Sequence, residues 1–224
     1  MFEDIRAWTP DLLDGLRLTV TLTIVSMALA MVLGLILALG RIRPRRGVAY
    51  WASTIFVELI RGSPLLLQLF YIYYVFPFIG IRMTPIAAGV LGLTINYSAY
   101  LSEVFRAGII AVDKGQWEAA DAIGLRPWLI MRLVVLPQAI RIVVPPVGNY
   151  FVSLFKDTAL VSTISIGELI FRGQLIAADT FKYLEVYTII FVIYVAISLP
   201  ASLGVKAIER RLQSSAPMPR ALRG

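Results

Sequence analysis

The stretch from about Leu16 to Leu39 contains TVTLTIVSMALAMVLGLILAL, a run with no charged side chain. About 20 apolar residues in a helix suffice to cross a bilayer, so this run predicts a membrane span. Hydrocarbon offers no partner for backbone N–H and C=O groups, and a continuous helix satisfies them internally. Composition points the same way. Of 224 residues, 58% are hydrophobic and 16% charged, whereas about a quarter of a soluble domain is charged. An all-α integral membrane protein is expected.

Four more spans are predicted, at about 50–79, 84–112, 129–155 and 186–205, within one transmembrane domain covering residues 1–224. The second is too long for one straight crossing and contains Glu58, Arg61, Gly62 and Pro64. A break at Arg61–Pro64 is expected, with an interfacial helix before it and a crossing from Pro64 to about Phe78. Glu58 and Arg61 stand three residues apart, so a structural ion pair on one helix face is expected. The third span is the most polar. Asn96, Tyr100 and Glu103 fall on one helix face. Polar groups at membrane depth belong against protein or a water-filled cavity, which makes this face the candidate translocation path. Glu103 and Arg106 are also placed to neutralise one another, and both roles stay open. In the fourth span Pro137, Pro145, Pro146 and Gly148 predict a broken helix, with Pro137 a candidate hinge. Lys156 and Asp157 follow; they are adjacent, do not share a helix face, and are expected to have different partners. Residues 165–185 read as an amphipathic outer segment.

Positive charge orients the spans. Arg41, Arg43, Arg45, Arg46, Lys114, Arg126, Arg132, Arg141, Lys206, Arg210, Arg211, Arg220 and Arg223 flank one side, and Arg6, Arg17, Arg82, Arg172 and Lys182 the other. The richer side is cytoplasmic by the positive-inside rule, which puts the amino terminus outside and the carboxyl terminus in the cytoplasm. The first residues, with Glu3, Asp4, Asp11 and Asp14, lack the basic start of a secretory signal and read as a short outer lead-in.

Other chemistry is excluded by what is missing. Without cysteine or histidine, disulfides, thiol chemistry and the usual metal ligands are ruled out. The net charge of +7 flanks apolar spans instead of forming a nucleic-acid patch. No G-x-x-x-x-G-K-[ST] loop occurs, so any ATP and Mg would be bound by a different polypeptide. Five spans are few to enclose a path, and a second copy or a paralogue is expected beside this chain.

Between the third and fourth spans lies EAADAIGLRPWLIMRLVVLP, Glu118 to Pro137. Glu118, Ala119 and Ala120 favour helix, Gly124 supplies a stop, and Pro127 suits the first position of a new helix. A short cytoplasmic helix at about 115–124, followed by a turn, is predicted. The spacing of Glu118, Ala119, Ala120, Gly124, Val134, Leu136 and Pro137 resembles the motif of the permease subunits of ATP-binding-cassette importers. ELIRGSPLLLQLF at 58–70 and KDTALVSTI at 156–164 are similar to the polar amino-acid branch of that family. Val134 replaces the usual isoleucine. The resemblance implies the type I importer permease fold, no enzymatic activity in this chain, and coupling through Glu118, Ala119, Ala120 and Gly124 to a separate ATPase subunit. It also implies an extracytoplasmic amino-acid-binding protein as partner, and puts the 156–164 stretch by the central path and outer gate. Two other readings stand beside it. An ion-coupled carrier or channel would use Glu103 and Asp157 as ion sites, but such carriers commonly show internal repeats and none is visible. A non-transporting scaffold would leave the polar third span unexplained.

Overall fold

The computed structural model describes residues 2–42 and 47–214, and among them every regular element is a helix. Arg43, Arg45, Arg46, Arg220 and Arg223, counted above for orientation, lie outside the described residues.

α1 runs unbroken over Phe2–Ile42. The predicted lead-in is therefore the first part of the same helix as the first span. It is held because Trp8 and Leu12 bury themselves with Leu169, Ala177, Val186 and Ile190. α2 (Val48–Arg61) and α3 (Leu65–Phe70) are separated by Gly62, Ser63 and Pro64, and the two halves of this span are bent by 106°. A π-helical turn, Tyr71–Val75, and a 3-10 turn, Phe76–Ile79, complete the crossing. α4 (Pro85–Ile110) follows, opened by Pro85 and by the Thr84 hydroxyl accepting from the Ala87 N–H.

α5 (Lys114–Ala122) is the short helix anticipated at 115–124. Beyond it, α6 (Pro127–Leu129), a π-helical turn (Ile130–Val135) and α7 (Leu136–Asp157) form one long stretch. A 3-10 segment (Thr158–Ile164), α8 (Leu169–Thr180) and α9 (Tyr183–Ser214) end the described chain.

The prolines act differently from expectation. α7 passes through Pro145 and Pro146 as one helix. The carbonyls these prolines leave free belong to Arg141 and Ile142, which sit at exposed positions and not in the packed core. The distortion appears instead at Ile130–Val135, just before Pro137. The same arrangement recurs at Tyr71–Val75, just before Pro77. A wider turn relieves the clash between a proline ring and the preceding turn, and such bulges commonly mark functional segments.

α4 is the centre of the bundle, packed against α1, α2, α3 and α7. Three helical stretches, Arg6–Ile42, Pro127–Ile164 and Tyr183–Leu212, are long and apolar enough to cross a bilayer, and the bent pair Val48–Arg61 with Leu65–Ile79 makes a fourth. α4 owes its absence from that set to its polar side chains. It is enclosed by protein, with Leu93, Thr94, Asn96, Tyr97, Ser98, Leu101 and Ser102 all buried, so lipid need not solvate them. The apolar belt is carried by its neighbours: Ile24, Val32 and Ile36 of α1 and Phe191, Leu199 and Leu203 of α9 point outward.

Candidate functional site

The bend between α2 and α3 exposes carbonyls that a helix would have satisfied. Gln68, buried on α3, takes them. Its side-chain NH2 donates to Ile60 O at 2.8 Å, Ser63 O at 3.1 Å and Ser63 Oγ at 2.9 Å. Its Oε1 accepts from Asn96 Nδ2 at 3.1 Å. Asn96 thus does not face an open path; it pins the bend to α4. Pro64, extended at φ −66° and ψ 138°, caps α3.

One turn further along α4, Tyr100 carries the Arg61 guanidinium over its ring, 5.6 Å from the centroid. Another turn on, Glu103 is surrounded by arginines. Arg106 chelates Oε2 through Nη2 at 2.8 Å and Nε at 3.1 Å. Arg41, at the end of α1, donates to Oε1, and Arg61 stands 3.6 Å from the same oxygen. Glu58 lies 3.8 Å from Arg41. The expected Glu58–Arg61 pair is therefore replaced by two pairs across helices. Arg41, only 10% exposed, brings a cation from another helix to Glu58, while Arg61 turns to α4. Among the described residues, three guanidinium groups share two carboxylates, and a positive charge is left over.

Asp157 lies at the other end of this face. It accepts from the Tyr97 hydroxyl at 2.6 Å, and Tyr97 packs edge-on against Tyr150, whose ring lies 5.8 Å from Tyr100. A row of three tyrosines joins an acidic end at Asp157 to a basic end at Arg61. Lys156 is exposed and takes no part in the row.

α5 hangs beneath the same bundle. Asp113 caps it, accepting from the Gly115 N–H at 2.7 Å. Ala120 is buried with Ile109 at the end of α4, with Val112 in the turn after it, and with Ile130, Val135 and Ala139 from the start of the α7 stretch. Gln138 donates to Gln116 Oε1 at 3.3 Å and to Val134 O at 2.9 Å, which ties α5 to the π-helical turn. Glu118 and Ala119 remain exposed. Gly124 adopts φ +78°, a conformation that suits glycine. α5 is thereby packed against both α4 and the stretch that leads into α7. The crossing of α4 and α7 is tight, since a Cβ on Gly108 would collide with Val143.

Opposite α5, outside the apolar spans, Glu168 joins three helices. It is fully buried and caps α8 by accepting from the Phe171 N–H at 2.8 Å. Its other oxygen receives Thr19 of α1 at 3.4 Å and Tyr194 of α9 at 3.3 Å. Burial pushes its carboxyl up to about 7, against the pull of these donors.

Arg41, Gln68, Tyr97, Tyr150 and Glu168 were not assigned to the site from the sequence; Arg41 entered there only as an orienting charge. Gln68 alone left a signal, as a lone amide in the apolar run PLLLQLF. No group of His, Cys, Asp and Glu among the described residues is arranged to hold a metal.

Comparison with known proteins places these features in context. Residues 30–214 match the family described as binding-protein-dependent transport system inner membrane component. The chain is 41% identical over 211 residues to the L-cystine transport system permease protein TcyB of Bacillus subtilis (strain 168), covering 92% of this chain and 88% of that one. It is 35% identical over 207 residues to the glutamine transport system permease protein GlnP of Escherichia coli (strain K12), covering 91% and 94%. A crystal structure of an amino acid ABC transporter with histidines superposes with a TM-score of 0.88 at 37% identity, covering 94% of this chain and 98% of that one.

Proposed function

From its membership of the family of binding-protein-dependent transport system inner membrane components, to which this chain belongs, we propose that it lines the path of amino acids through the bacterial inner membrane. It is a multi-pass ABC importer permease, and ATP hydrolysis is the work of a separate subunit in this family. The amino-acid assignment is supported by relatives named for cystine and glutamine transport and by the solved neighbour with histidines. The comparisons lend nothing to an ion-coupled carrier.

The observation that carries the mechanism is the docking of α5 under both α4 and α7. Glu118 and Ala119 on the free side of α5 meet the ATPase; no ATP or Mg binds this chain. When two ATPase subunits close, α5 moves with them, and α4 and α7 carry the motion to Tyr100, Glu103 and Tyr150. Two permease copies, or this chain and a paralogue, enclose the path, and an outer binding protein delivers the cargo. α5 is cytoplasmic and the amino terminus external.

The absence of cysteine makes the orientation direct to test. Single cysteines at Glu118 and Arg82 are labelled in right-side-out vesicles with a membrane-impermeant maleimide. The cysteine at Arg82 is expected to react at once and the one at Glu118 only after permeabilisation. It is also expected to cross-link to a co-expressed ATPase subunit. Labelling of Glu118→Cys from outside would reverse the topology and remove α5 from the ATPase side.

A further inference from the structure

We infer that Arg61 holds the carboxylate of the transported amino acid, on a site bordered by the rings of Tyr100 and Tyr150; this assignment rests on the amino-acid transport reading above. Among the three arginines around Glu103, Arg61 is the one whose donors are spare. Arg106 grips Oε2 with two nitrogens, and Arg41 serves Oε1 and Glu58 while almost sealed from solvent. Arg61 stands 3.6 Å from Oε1, outside hydrogen-bond reach, with 39% of its side chain exposed. A guanidinium has five N–H donors in a planar fork matched to a carboxylate. Here the fork is fixed by its place at the end of α2, just before the bend that Gln68 and Asn96 stabilise, and by the Tyr100 ring beneath it.

Charge decides what such a site accepts. Glu103 cannot be the partner of a cationic cargo, because its oxygens already face three guanidinium groups. The positive charge left over in the network is compensated when a carboxylate arrives. The site therefore selects for a free carboxylate. Tyr100 and Tyr150 are each partly exposed beside Arg61, so an arriving carboxylate is desolvated on one side by aromatic surface. That strengthens a bidentate pair.

The test uses the full-length chain assembled with its ATPase subunits in detergent, without the binding protein, so that selection belongs to the permease. Binding of L-histidine, L-glutamine and the other standard amino acids is measured by calorimetry, and each ligand that binds is compared with its α-carboxamide. Wild type is expected to bind the carboxamide about tenfold more weakly or worse, the loss that accompanies removal of a charge-assisted pair. Arg61→Gln is expected to lose at least as much affinity for the parent amino acid and, more tellingly, to bind parent and carboxamide alike. Arg61→Lys keeps charge without the fork and is expected to retain part of the discrimination. Folding should survive, because Glu103 keeps Arg41 and Arg106; if Arg61→Gln nonetheless fails to assemble, the wild-type and lysine arms decide. Equal binding of amino acid and carboxamide by wild type, or undiminished discrimination in an assembled Arg61→Gln complex, would overturn the assignment while leaving transport intact. Failure of wild type to bind any amino acid would instead count against the amino-acid reading itself.

Discussion

Asn96 donates to Gln68 across 3.1 Å, and this amide pair adds to the packing of α2 and α3 on the central helix that holds the bend between them. The other end of the Gln68 amide covers the carbonyls of Ile60 and Ser63. Buried polar groups stripped of a partner cost about 1–3 kcal/mol each. Gln68→Leu is therefore expected to lower the thermal stability of the detergent-solubilised protein by that order, and Asn96→Ala by somewhat less. The two changes together should cost less than their sum, because they break one network. Strict additivity in a fluorescence melting assay would mean that the pair does not brace the bend.

Glu103 is the common anion of Arg41, Arg61 and Arg106. Replacing it by Gln strands Arg41, which is almost sealed from solvent, beside the partly exposed Arg106. Loss of one partner of a buried pair is strongly destabilising, here about 2–3 kcal/mol given the partial exposure of Glu103. Expression and melting temperature of Glu103→Gln are expected to fall, and adding Arg106→Gln should restore much of both. A Glu103→Gln protein of normal stability that discriminates specifically against cationic amino acids would show that Glu103 contacts cargo after all.

How much of this was legible in the chain differs by feature. The bend at Arg61–Pro64 was readable, because Gly62 and Pro64 are local signals and the span was too long for one crossing. The extent of α5 was readable for the same kind of reason: helix formers, then Gly124, then Pro127. The partner choices were not. Glu58 and Arg61 have the spacing of a helical pair, yet Arg41, from another helix, intervenes. Asn96 and Glu103 share a face of α4, but what stands opposite that face, Gln68 in one case and arginines in the other, depends on tertiary packing. The two adjacent prolines of α7 looked like a break; whether a helix tolerates them depends on which side its freed carbonyls face, and that no single sequence discloses.

Gly124 takes φ +78° after α5. Asn tolerates that region and a β-branched residue does not. Gly124→Val is expected to insert normally but to co-purify with less ATPase and to show weaker cargo-stimulated ATP hydrolysis, while Gly124→Asn stays near wild type. Full coupling in the valine variant would remove the turn from the mechanism.

Glu168 couples stability to pH. Its carboxyl titrates near 7 when folded, above its ordinary value of 4.5, so between these values the folded state binds the extra proton. The stabilisation is fully present below about pH 4.5 and is lost as pH rises through 7, at up to about 1.4 kcal/mol per pH unit. Glu168→Gln keeps the side-chain oxygen that caps α8 but cannot ionise. Melting temperatures measured from pH 5 to 8 are expected to fall more steeply for wild type than for the variant. Parallel curves would mean that the junction of α1, α8 and α9 does not sense its charge state.

The most direct test of the whole account is reconstitution. The chain is placed in proteoliposomes with an ABC ATPase subunit that co-purifies with it and an extracytoplasmic amino-acid-binding protein, and accumulation of a labelled amino acid that the binding protein retains is followed. Uptake is expected only when ATP and Mg reach the ATPase side, and it should persist when proton and sodium gradients are collapsed by ionophores. Uptake by the chain alone, driven by an ion gradient and indifferent to ATP, would contradict it.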